Sequence, residues 1–183
     1  MKNLILIVGA SGAGKDTLLK EARVHFKSLP RVHFVRRYIT RMPGVSEDNF
    51  YVDDIAFELL KDNGFFISYW YAHDLKYGIP KSEFESLKNG ETVIVSISRT
   101  KIGEFEQKFP GKVTTVNVTA GRSVIEIRLE KRKRENFGQI ESRLQRLTIP
   151  VSAKNLINFD NNQEIELSSQ SFNALLEEMI TQR

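Results

Sequence analysis

The chain of 183 residues contains no cysteine, which excludes disulfides and thiolate metal sites. That composition is compatible with the cytoplasm, the expected location. No apolar run approaches the ~20 residues of a membrane span. Only Leu4 to Val8 is apolar before Gly9, too short for the core of a signal peptide, so none is expected. Internal repeats and low-complexity linkers are also absent, and the length suits one domain over residues 1–183. His25 and His33 lack metal-ligand spacing, no Ser/His/Asp arrangement can be read, and His73 at a strand end reads as structural. Acidic charge is in deficit: the formal net charge is +4 and the isoelectric point about 9.3, a balance that suits small polyphosphates as well as nucleic acid.

What is present is concentrated between Leu4 and Leu19. Leu4-Ile5-Leu6-Ile7-Val8 is too short for a helix and rich in β-branched residues, the pattern of a strand buried on both faces of a parallel sheet. Gly9-Ala10-Ser11-Gly12-Ala13-Gly14-Lys15 fits G-x-x-x-x-G-K, and Leu18, Leu19, Ala22 and Phe26 then recur at helical spacing. Strand, glycine loop and helix together predict a phosphate-binding loop rather than a plain glycine turn. Backbone N–H groups of residues 9–17 and the helix N-terminus would face phosphate oxygens, and Lys15 would reach the β- and γ-phosphates of ATP. Asp16 stands where the general motif has Ser or Thr, followed by Thr17. Its carboxylate is a hard ligand for Mg²⁺, directly or through water, and equally a helix-start residue near unpaired N–H groups.

Further along, Arg31 to Arg41 mixes strand-like and basic residues, and 42–49 reads as a loop. Asp53 or Asp54 caps a short helix closed by Asn63-Gly64. Phe65 to Ala72 is an aromatic strand and Tyr77 to Pro80 a turn. Ser82 with Glu85 forms a capping box opening a helix that stops at Asn89-Gly90. Thr92 to Ile97 and Val113 to Val118 are buried strands, with a helix over Thr100 to Phe109 between them. A very basic helical stretch spans about Ser123 to Thr148, Leu156 to Phe159 is a last strand, and Phe172, Leu175, Leu176, Met179 and Ile180 form the apolar stripe of a final helix. Alternating strands and helices predict a three-layer α/β fold with a parallel sheet and ligands at the carboxyl ends of its strands.

Two basic clusters stand out. Arg36, Arg37, Tyr38, Thr40 and Arg41 could clamp a phosphorylated acceptor, or protect an edge strand by charge. From Arg128 to Arg146 seven Lys or Arg face three Glu, a local excess equal to the whole chain's. That stretch suits a mobile lid over triphosphate, a solvated face or an RNA-binding patch.

Taken together, these residues resemble the ribose 1,5-bisphosphate phosphokinase family, guanylate-kinase-like P-loop kinases within the nucleoside-monophosphate-kinase-like group. GASGAGKDTLL, RRYITR, WYAHDLKYGI, SISR, RLEKRKRE and the late FDN tripeptide are similar in order and spacing, and GKD followed by RRYITR is the most specific part. The resemblance implies transfer of the γ-phosphoryl group of ATP, with Mg²⁺, to ribose 1,5-bisphosphate, giving 5-phosphoribosyl 1-diphosphate in phosphonate breakdown. It implies Lys15, Arg132 and Arg143 as catalytic residues, Arg128 stacked on adenine, and Arg37, Tyr38, Thr40, Arg41, Tyr77, Ser96 and Arg99 at the acceptor. An acceptor-binding insert then spans about 34–80 and a lid about 128–146. Partners are small molecules, with no nucleic acid or membrane and with room for a homodimer. Guanylate kinase is the alternative, but its second acceptor-phosphate arginine falls at Gly44 here, its guanine-reading glutamate at Ser68, and its acidic segment at Val95-Ser96-Ile97-Ser98. Guanine's N–H donors would then lack acceptors. A catalytically inactive binding module is a third reading, opposed by the intact Lys15.

Overall fold

A computed structural model of the chain describes residues 3–44, 47–72, 74–131 and 150–181. At its centre lies β1, Leu4–Val8, with all five residues buried. It leads through the glycine loop into α1, Lys15–His25. The remaining elements in chain order are β2 (Val32–Phe34), β3 (Tyr38–Ile39), β4 (Phe50–Tyr51), α2 (Asp54–Asp62), β5 (Phe66–Ala72), β6 (Leu75–Pro80), β7 (Thr92–Ser96), α3 (Ile102–Lys108), β8 (Val113–Thr119), α4 (Arg122–Lys131), β9 (Leu156–Asp160) and α5 (Ile165–Thr181).

The expected parallel sheet is present, in the order β2-β7-β1-β8-β9, every pair parallel. Side chains alternate across it. Ile5 and Ile7 pack with Leu18, Leu19 and Ala22 of α1 and with Phe172 and Leu176 of α5. Leu4, Leu6 and Val8 pack on the other face with Ile102 and Phe105 of α3 and with Phe84 and Leu87. Both faces are covered, which is why the central strands read as unbroken apolar runs.

A second, four-stranded sheet, β4-β3-β6-β5, was not expected as such. The stretch from Arg31 to Arg41 divides between the two sheets. Val35 N–H still donates to Ile94 of β7 over 2.9 Å, whereas Arg37 C=O accepts from Phe50 N–H over 2.8 Å. The edge-strand reading of the Arg36 to Arg41 cluster does not hold, because β3 lies inside the second sheet, between β4 and β6.

The turn expected at Tyr77 to Pro80 is instead the body of β6, antiparallel to β5. Gly78 serves close approach there, since an added Cβ would stand 2.5 Å from the Phe66 ring. The hairpin turn lies earlier, where Asp74 takes a left-handed φ of 58°. The capping box also fails. Pro80 is the N-cap and offers no side-chain bond, and residues Lys81–Asn89 wind as a 3-10 helix. Its buried residues Phe84 and Leu87 are three apart, the 3-10 repeat. Asp53 does cap α2, accepting from Ala56 N–H over 2.8 Å. The basic stretch begins as α4, and residues 132–149, with most of the expected lid, lie outside the described residues.

Candidate active site

The glycine loop leaves the carboxyl end of β1 with its three glycines at φ 142°, 86° and 91° (Gly9, Gly12, Gly14), all in a region closed to most side chains. The packing is as demanding as the dihedrals. A Cβ on Gly9 would meet the Val118 carbonyl oxygen at 2.2 Å, and one on Gly14 the Asn161 Nδ2 at the same distance. Ala13 is fully buried. Lys15 Nζ curls back over the loop and donates to the carbonyls of Gly9 at 2.8 Å and Ala10 at 2.7 Å. Arg128 reaches the loop from α4, its Nη1 lying 3.5 Å from the place a Gly14 Cβ would take. Ser11 and Thr17 flank the turn and the first helical residues.

Asp16 stands at the start of α1, as its helix-start reading expects. No side chain caps α1, whose N-cap is Gly14 in a left-handed conformation. Asp16 contributes to the helix start as an acidic residue in the first turn. Its Oδ1 accepts from Arg37 Nη2 at 3.0 Å.

Arg37 is the hub of the contacts across from the loop. Besides Asp16, its Nε donates to Asn49 Oδ1 at 3.2 Å and its Nη1 to Ser96 Oγ at 3.3 Å. The guanidinium lies 5.9 Å from the centroid of Tyr77, which is stacked in parallel on Trp70 at 5.3 Å. Phosphate loop, end of β7 and second sheet therefore meet at one side chain. Ser96 is buried at the carboxyl end of β7, and Arg99 opens the 3-10 turn just beyond it.

Other expected site residues are placed elsewhere. Tyr38 points to the opposite face of β3, its ring 5.1 to 5.8 Å from those of Phe50, Phe65 and Phe66. Thr40 spends its hydroxyl on the ladder, accepting from Lys76 N–H at 3.0 Å. Both act in the packing of the second sheet, because period-two alternation sets them opposite Arg37. Arg41 is held by Glu47, Nη2 to Oε2 at 2.7 Å, and by the Met42 carbonyl at 3.3 Å. Arg36 turns away to Asp48 at 3.0 Å and the Phe50 ring. Arg132 and Arg143 lie outside the described residues.

Sequence reasoning overlooked Asn49, Glu47 and Asn161. Asn161, 1% exposed, donates from Nδ2 to the Ala13 carbonyl at 2.7 Å. It belongs to the FDN tripeptide, so its position was signalled although its contact was not. Asn49 and Glu47 sit in a loop whose composition carries no periodic signal.

A glycine loop at the carboxyl end of a central parallel strand, a lysine over it and an arginine joining the loop to the second sheet define a P-loop phosphotransferase. The solved structures agree on the fold. Guanylate kinase from Anaplasma phagocytophilum matches with a TM-score of 0.68 at 16% identity, over 98% of this chain and 87% of that one. A gluconokinase from Sinorhizobium meliloti matches with a TM-score of 0.54 at 15% identity, over 98% and 94%. Sequence comparison is more specific. Proteins named ribose 1,5-bisphosphate phosphokinase PhnN are 38% identical over 98% of this chain and 91% of their own length (Rhizobium etli) and 37% identical over 96% of both (Agrobacterium fabrum). A third, from Acidiphilium cryptum, is 43% identical over 82% of this chain and 80% of its own. No family model matches. The chain belongs to the ribose 1,5-bisphosphate phosphokinase family and is a kinase.

Proposed function

We propose that this kinase transfers the γ-phosphoryl group of ATP to the 1-phosphate of ribose 1,5-bisphosphate, producing 5-phosphoribosyl 1-diphosphate and ADP. The observation that carries the reading is Arg37, a guanidinium bridging the phosphate loop, β7 and the Tyr77 face of the second sheet. A phosphorylated acceptor drawn to Arg37 stands next to the loop that holds the donor.

An oxygen of the 1-phosphate attacks the γ-phosphorus, the bond from that phosphorus to the bridging β-oxygen breaks, and ADP leaves with those electrons. The acceptor is already ionised near neutral pH, so no general base is needed. Catalysis then rests on alignment and on charge neutralisation. Lys15 exchanges its two backbone carbonyls for phosphate oxygens, and the loop N–H groups cradle the chain of phosphates. Arg37, Tyr77, Ser96 and Arg99 orient the acceptor, with Arg41 reaching it only by giving up Glu47. Arg128 borders the nucleotide, and Arg132 and Arg143 are assigned to the transferring group.

Among the described residues no group of three or more His, Cys, Asp or Glu could hold a metal ion. Asp16 fits Mg²⁺ that keeps most of its shell as phosphate oxygens and water, the usual arrangement in kinase sites. When bound there, Mg²⁺ neutralises charge on the β- and γ-phosphates.

Guanine recognition has little to work with. Ser68 is only 2% exposed, and among the described residues its hydroxyl has no hydrogen-bond partner. Phosphorus NMR of the full chain with Mg²⁺·ATP tests the reading. Ribose 1,5-bisphosphate should give new diphosphate resonances together with ADP. ADP formation with GMP but not with the bisphosphate would contradict it.

A further inference from the structure

The contact between Arg37 and Asp16 joins the two halves of the site, and it has a consequence for the order in which they fill. We propose that this ion pair is an interlock: Asp16 holds Arg37 back from the acceptor until Mg²⁺·nucleotide engages Asp16. The inference rests on the reading that the acceptor phosphate binds at Arg37.

Three observations carry it. First, each nitrogen of the Arg37 guanidinium already donates, Nε to Asn49, Nη1 to Ser96 and Nη2 to Asp16. Only two of its five N–H donors remain, one on each Nη, so a phosphate meets a guanidinium already anchored through all three nitrogens. Second, Asp16 is the charged one of the three partners, and the pair is sheltered, with Arg37 12% and Asp16 30% exposed. A phosphate dianion arriving at Arg37 therefore meets a carboxylate 3.0 Å from the guanidinium it needs. Sheltering strengthens both the pair and the repulsion. Third, Asp16 stands in the first turn of α1, next to Lys15, where the loop presents its N–H groups. Positive charge delivered there removes the repulsion and frees the Arg37 fork. A serine at that position, as in the general motif, would make no ion pair, so the interlock is a property of GKD.

Asp16 is thus a positioning residue for the acceptor, acting through Arg37. Linkage makes the effect reciprocal: whatever Mg²⁺·nucleotide does for the acceptor, the acceptor does for Mg²⁺·nucleotide. Couplings of this kind usually amount to 5- to 150-fold in affinity, and about tenfold is expected here.

Isothermal titration of ribose 1,5-bisphosphate into the full chain tests it, with and without saturating Mg²⁺·ADP. In the wild type the Kd should fall about tenfold when Mg²⁺·ADP is present. Asp16→Ser keeps a hard oxygen but removes the carboxylate. It should bind the bisphosphate without nucleotide as tightly as the wild type does with it, and show no further gain. Asp16→Asn should lose the coupling likewise. Measurable binding with the same Kd in both conditions overturns the interlock alone, and the wild type decides this even if a variant fails to fold. No binding of the bisphosphate in either condition overturns the acceptor reading and the interlock with it.

Discussion

Asn161 donates its side-chain amide to the backbone carbonyl of Ala13, fixing the end of β9 to the phosphate loop across 148 residues of sequence. The contact is buried, and Gly14 must lack a side chain for it to form. Asn161→Ala leaves the Ala13 carbonyl unpaired, at a cost of about 1–3 kcal/mol. For a chain of this size the melting temperature should drop by roughly 3–10 °C, and the KM for ATP should rise as the loop loosens. Calorimetry and steady-state kinetics check both.

Lys15→Ala removes the charge that curls over the loop. Lys15 bonds the loop carbonyls of Gly9 and Ala10 and lies outside the buried core, so the fold should be retained. Turnover should fall on the order of 10²-fold or more, because the lost charge is needed most as the phosphoryl group transfers. Normal turnover in a folded variant would refute the phosphate-loop assignment.

Arg37 and Arg41 are predicted to differ. Arg37→Ala should lower kcat/KM for the bisphosphate by ~10²-fold or more without weakening ATP binding. Arg41→Ala should cost less, because Arg41 is already committed to Glu47. Parallel kinetics on the two variants check the ranking.

Glu58 ties α2 to β6, accepting from Lys61 and from Lys76, the latter at 2.7 Å. Those bonds hold its carboxyl below the ordinary 4.5. A lowered folded value means that the contribution to stability is complete above pH 4.5 and is lost as pH falls through the folded value. The gap in melting temperature between wild type and Glu58→Gln should be widest near neutral pH and close in acid. A gap that widened on acidification would contradict this.

The sequence was most informative where one signal had one structural solution. The β1–loop–α1 unit was legible because an apolar run, three spaced glycines and a lysine admit few other arrangements. The stripe from Phe172 to Ile180 was legible for a similar reason, and α5 buries Phe172 and Leu176 as expected. The second sheet was hidden because its strands are two to seven residues long and its glycine and proline mimic a turn. Arg37 was legible as a basic candidate, but its partner Asp16 lies 21 positions earlier, and no local pattern announces such a pair. Tyr38 and Thr40 lie on the face opposite Arg37, and alternation alone reveals two faces without saying which one meets the loop.

The most direct measurement is kcat/KM for ribose 1,5-bisphosphate and for GMP, each with saturating Mg²⁺·ATP on the full chain. A site with Ser68 and Gly44 where guanine recognition needs a carboxylate and an arginine should favour the bisphosphate by ~10²-fold or more. Comparable or faster turnover of GMP would contradict the account and make the chain a guanylate kinase in activity.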